Sequence, residues 1–144
     1  MRFLQDRRGD IFAYFSVLMV FLMLPLSSVA VDIVRGMYVR GHLHTATDAA
    51  CQAAADALDA PLFRETGQKR IHSSLARSQA SQVFSATLVD ADRVQYSPGI
   101  SVSIVSPTTA QCTASASVAR LIPGTPRMEV VTFTESQMRV SSLN

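Results

Sequence analysis

Between Asp10 and Asp32 the chain runs for 21 positions, Ile11 to Val31, without a charged residue. A helix of that length rises about 31 Å, the thickness of a bilayer's hydrocarbon core. The run is apolar all round, a surface that a chain of 144 residues has no core large enough to bury. The pattern predicts one membrane-spanning helix over 11–31. Pro25 falls inside it and removes one backbone hydrogen bond, a defect that the hydroxyls of Ser27 and Ser28 can relieve. Beyond Asp32 helical character continues, because no proline or turn cluster appears before Pro61 and the stretch from Ala46 to Ala60 is dominated by alanine. Ala46, Ala49, Ala50, Ala53 and Ala57 recur at spacings of three and four. They make a smooth stripe that another helix, or the protein's own domain, can approach closely.

Between Pro61 and Leu88, Phe63, Ile71, Leu75, Val83 and Phe84 fall near one face of a second helix interrupted around Gly67. After Asp92 the period changes to two, through Ile100 to Val105 and again through Thr113 to Val118. Met128 to Phe133 and Met138 to Ser141 give a third and a fourth strand, with turns at Ser97-Pro98-Gly99 and Pro123-Gly124-Thr125-Pro126. The fold class is α+β: a long N-terminal helix, a second helix and an antiparallel sheet of about three to four strands with one face covered. The expected division is a short segment 1–10, a transmembrane helix 11–31, an alanine-rich helical stalk 32–60 and an α+β head 61–144. Alternating Ser and Thr on the sheet read as the polar side of half-buried strands.

Composition sharpens this picture. Hydrophobic residues make up 48% of the chain against 17% charged, so the apolar excess has to be placed somewhere specific, and the N-terminal run takes it. The net charge of +2 comes from 13 basic and 11 acidic residues, with no Lys/Arg run beyond Arg7-Arg8 and Lys69-Arg70. Nucleic acid is not an expected partner. Arg2, Arg7 and Arg8 before the span favour a cytoplasmic N-terminus, while Arg35 and Arg40 soon after it reduce the asymmetry. A rival reading is a secretory signal: Ile11 to Leu24 has the length of an h-region, and Ser28-Val29-Ala30 has a small-x-small pattern. That reading leaves a secreted, signal-cleaved binding domain.

Candidate chemistry is sparse. Cys51 and Cys112 are the only cysteines, and two readings stand side by side: a disulfide closing a loop of about 60 residues, or two small buried thiols. His42 and His44, two apart, turn to different faces of a helix and make a poor metal pair, whereas His44 and Asp48, four apart, can meet on its surface. His72 stands beside Ser73 and Ser74 with no acid placed to complete a triad. No phosphate loop, paired-carboxylate motif or nucleophile elbow is present. No catalytic residue, metal, cofactor or small-molecule substrate is expected.

Arg7-Arg8-Gly9 ahead of the apolar run, Ala30-Val31-Asp32 at its exit, Arg35, and then Leu43, Ala46, Asp48, Ala49 and Ala50 form an ordered set. In that order and spacing the chain resembles the TadE/TadG-like family of Flp (tight adherence) pilus assembly proteins over residues 7–57. The resemblance implies a bacterial inner-membrane anchor with a periplasmic head, a pseudopilin-like role in a pilus or envelope secretion machine, and partners among other pilin-like or Tad assembly proteins. Pilin precursors cut by a prepilin peptidase typically carry a Glu five residues after the Gly; Tyr14 stands there instead. That departure implies an assembly component of the TadG-like kind rather than a polymerising pilin. The von Willebrand type A domain of longer relatives has no metal motif here and is not implied.

Overall fold

The structure, a computed structural model, describes residues 7–121 and 124–139, with side chains from residue 11 onward. The helix expected from the apolar run and the alanines is a single element, α1 (Arg7–Ala55), 49 residues long and unbroken at Pro25. Ser27 donates its hydroxyl to the Met23 carbonyl at 2.8 Å, on the turn that the proline interrupts. Through residues 11–31 every large apolar side chain is exposed. From Val39 one face closes: Val39, Leu43, Ala46, Thr47, Ala50, Cys51 and Ala54 are all fully buried, at spacings of three and four.

α1 stops at Ala55, ahead of Pro61. Ala57 lies just beyond it, where its carbonyl accepts from His72 N, and Leu58 makes an isolated bridge with Ile71. The second helical region is split. α2 (Ala60–Thr66) is capped by the Asp59 carboxylate and ended by Gly67 at φ 70°, a left-handed turn that glycine adopts without strain. α3 (Ser73–Thr87) follows, with Ala76, Ala80 and Phe84 buried. The expected face holds only in part: Phe84 is buried, and Ile71 is buried but outside any helix, whereas Leu75 on α3 and Phe63 on α2 are exposed. Ala76 and Ala80 let α3 lie close to α1, Phe84 fills the core near its end, and Leu75 is left on the outside. A single turn, α4 (Ala91–Val94), leads into the sheet.

Three strands, β1 (Tyr96–Ser106), β2 (Thr109–Val118) and β3 (Met128–Gln137), form an antiparallel meander in the order β1-β2-β3. Two expectations are corrected here. Ser97-Pro98-Gly99 is not a turn but the start of β1, where Pro98 is tolerated because β1 is an edge strand. Met138 and Arg139 extend no fourth strand; the Met138 amide donates to the Thr108 carbonyl at 2.8 Å and its side chain closes the core. The remainder of that expected strand, and Pro123 of the expected turn, lie outside the described residues.

α1 and α3 cover one face of the sheet. Toward them β2 turns Ala110, Cys112, Ala114, Ala116 and Val118, none of them large. Cys51 on α1 and Cys112 on β2 are joined as a disulfide, with their Cα atoms 5.6 Å apart. One turn earlier on α1, Thr47 donates to the Leu43 carbonyl at 2.6 Å and lies 3.0 Å from the Thr132 hydroxyl of β3. Both threonines are buried, and with the Thr47 proton on the Leu43 carbonyl the Thr132 hydroxyl donates to the Thr47 oxygen.

Two outcomes test this packing, both by urea denaturation of the detergent-solubilised chain. Replacing both cysteines with alanine should cost about 4 kcal/mol in the chain-entropy model for a separation of 61 residues. Thr47→Val alone should cost about 1–3 kcal/mol by stranding the Thr132 hydroxyl, and adding Thr132→Val should restore much of the loss.

Candidate functional site: the junction of helix and head

No cluster of His, Cys, Asp or Glu able to hold a metal ion occurs among the described residues. His42 lies against the Tyr38 ring, centroids 4.3 Å apart, and His44 pairs with Asp48 at 2.8 Å on an exposed surface. His72 caps α3: its Nδ1 accepts from Leu75 N and lies 3.1 Å from the Ser74 hydroxyl. The more informative region is where α1 meets the head, because three polar side chains in succession reach across there.

Asp32 accepts from the Leu121 backbone N–H at 3.1 Å, holding the loop between β2 and β3. One turn on, the Arg35 guanidinium donates to the Val94 carbonyl at 2.7 Å and so satisfies the C-terminal end of α4. Tyr38 donates its hydroxyl to Asp90 at 2.6 Å, and the other oxygen of that carboxylate accepts from Tyr96 at 3.0 Å. Higher on α1, Thr134 of β3 donates to Asp48 at 2.6 Å. In chain order the four links tie α1 to the β2–β3 loop, to α4 and, on the other flank of its buried face, to β3.

The electrostatics of the Tyr38–Asp90–Tyr96 set follow from this geometry. The Tyr38 hydroxyl, and less strongly that of Tyr96, hold the Asp90 carboxyl below the usual carboxylate range. In return Tyr38 is pushed up by its bond to Asp90, and Tyr96 is pushed up by burial and then by Asp90. At neutral pH the set is one carboxylate held by two phenols, a structural clasp with no group poised to transfer a proton.

The residues singled out from sequence are placed as follows. Leu43, Ala46 and Ala50 are fully buried in the core; Asp32, Arg35 and Asp48 are half-buried and make the links above. Ala30 and Val31 are exposed, Arg7, Arg8 and Gly9 belong to the first turn of α1, and the side chains of the two arginines lie outside what is described. The alanine stripe divides. Ala46, Ala50 and Ala57 face the protein's own core, Ala53 is half-buried and Ala49 is exposed. Tyr38, Asp90, Tyr96, Thr47 and Thr132 carried no motif, and the 52 positions between Tyr38 and Asp90 gave no signal of their meeting.

Asp90 yields a pH prediction. Its folded-state pKa lies below its unfolded value of about 3.9, so its contribution is present above that value and fades as pH falls through the folded pKa. Wild type should therefore be more stable than Asp90→Asn at pH 7, and the gap should narrow below about pH 4. Chemical denaturation at a series of pH values measures it.

Residues 9–57 match a protein-family model described as "Putative Flp pilus-assembly TadE/G-like". No curated protein and no solved structure matches the chain. Among the described residues, one helix is long and apolar enough to cross a membrane, and the family match falls on it. The similarity to the TadE/G-like pilus-assembly family thus covers all of α1 beyond Arg8 and the first residues after it.

Proposed function

We propose that the protein is a minor, pseudopilin-like structural or assembly component of a Tad-type (Flp) pilus or a related envelope secretion machine, held in the bacterial inner membrane. The observation that carries this reading is the continuity of α1. The family-matched helix runs from a fully exposed apolar stretch directly into the core of the head without a linker. Residues 11–31 serve as the span, the arginines before them keep the N-terminus in the cytoplasm, and the head lies in the periplasm. A disulfide between Cys51 and Cys112 suits that oxidising compartment. The role is structural rather than enzymatic: the polar groups of the junction are occupied in holding the head to α1. Partners are other pilin-like or Tad assembly proteins, met through the head or through the exposed side of α1 around Ala49.

The test is the intact mass of the full chain, expressed in a Gram-negative host and recovered from carbonate-washed membranes. A full-length mass in the pellet is expected and supports a membrane-held assembly component. Loss of residues 1–9 would replace that reading with filament entry through a prepilin peptidase that accepts Tyr14. Loss of residues 1–30 with a soluble product would overturn the anchor in favour of a secreted binding domain.

A further inference from the structure

Asp32 and Arg35, the first charged residues beyond the uncharged run, are both taken up by the head, one by Leu121 N and the other by the Val94 carbonyl. The head therefore begins at the level of α1 where the run ends. The β2–β3 loop reaches that level too: Arg120 and Thr125 share a cleft of about 250 Å³ with Val29, Asp32 and Ile33. Helical side chains lean toward the helix N-terminus, so Tyr38 and the Asp90 it holds also lie near the level of Arg35.

Exposed apolar side chains occur elsewhere on the head, at Val105, Val131 and Phe133, but at this end they stand beside arginines and level with the end of the run. Val89, next to Asp90, is 86% exposed and Leu121 is 53% exposed, two apolar side chains turned outward beside the root of α1. Near them stand three exposed arginines, Arg93, Arg120 and Arg127, none with an ion-pair partner among the described residues. Of the acids at this end, Asp90 is held by two tyrosine hydroxyls and Asp32 by a backbone N–H, while Asp92 and Glu129 stay exposed, so the three arginines outnumber the two acids left open. Apolar tips flanked by free cations, held level with the end of an apolar span, suit one environment, the layer of lipid headgroups.

The geometry points to a lipid-docking surface: the head rests on the leaflet from which α1 emerges, with Leu121 and Val89 entering the interfacial layer and Arg93, Arg120 and Arg127 meeting lipid phosphates. This rests on residues 11–31 being the span. Contact of this kind would fix the orientation of the head relative to the membrane, because α1 has no hinge between the two.

The chain contains no tryptophan, so a single substitution supplies a reporter. The full chain would be reconstituted in vesicles of phosphatidylethanolamine and phosphatidylglycerol carrying spin-labelled lipids, as Phe21→Trp in the run, Leu121→Trp at the proposed surface and Val105→Trp at the far end of β1. Phe21→Trp should be quenched by a label deep in the acyl chains. Leu121→Trp should emit to the blue and be quenched by a label at headgroup depth, and Val105→Trp should show neither. Red, unquenched emission from Leu121→Trp beside a quenched Phe21→Trp would overturn the docking surface and leave the span intact, as would equal shallow quenching of Val105→Trp. An unquenched Phe21→Trp would overturn the span itself. Arg120→Gln with Arg127→Gln in the Leu121→Trp background should weaken the shallow quenching, and undiminished quenching would overturn the role given to these two arginines.

Discussion

The close seating of α1 on the middle strand governs the arrangement of everything else in the head. A helix can approach a sheet only as far as the side chains between them allow, and here both surfaces are nearly bare. α1 turns Ala46, Ala50 and Ala54 inward, and β2 answers with Ala110, Ala114 and Ala116. The 5.6 Å between the α carbons of Cys51 and Cys112 is a direct measure of the approach. Such a core has little volume to bury, so it gains less from hydrophobic area than a leucine-rich core of the same span. Covalent and polar fastenings take a correspondingly larger share: the disulfide, the Thr47–Thr132 pair and the Asp48–Thr134 bond all join α1 to the sheet.

The same helix changes character along its length, and the change falls at Asp32. Up to Val31 it presents apolar side chains in all directions; beyond Asp32 only one face is apolar, and that face is filled by protein. Between the two lies a short interval where polar residues point to the head and Val34 and Met37 remain exposed. Asp32 and Arg35 each answer a backbone group that the end of a strand or helix would otherwise leave to water. The polar spacing seen in sequence is thus the spacing of attachment points along one side of a helix.

What was legible in the chain divides along physical lines. The long helix was legible because an uncharged run and a concentration of alanine act locally, and the strands because a period of two needs no knowledge of the partner. The end of α1 was not: nothing near Ala55 forbids another turn, and the stop comes from Ile71 and His72 arriving from elsewhere to pair with Leu58 and Ala57. The inner face of α3 was misread because Leu75 outranks Ala76 in hydrophobicity, while close packing on α1 favours the smaller side chain. Pro98-Gly99 signalled a turn, and edge position in the sheet overrode it. At the junction the α1 side of three of the four links stood out in sequence, at Asp32, Arg35 and Asp48, while Tyr38 did not. The other side, largely backbone carbonyls and amides or a lone threonine, had nothing to mark it.

The absence of a linker has a mechanical consequence. From Val31 to Ala55 the helix advances about 36 Å, so a 20° tilt of the span, ordinary for a membrane helix, carries the far end of α1 sideways by about 12 Å. The disulfide and the turn between β1 and β2 lie at that far end and would move with it. On the proposed topology the span and the head are the two arms of one lever with its fulcrum at the membrane surface. A force applied to the apolar half of α1 would reach the far tip of the head as displacement rather than be absorbed on the way.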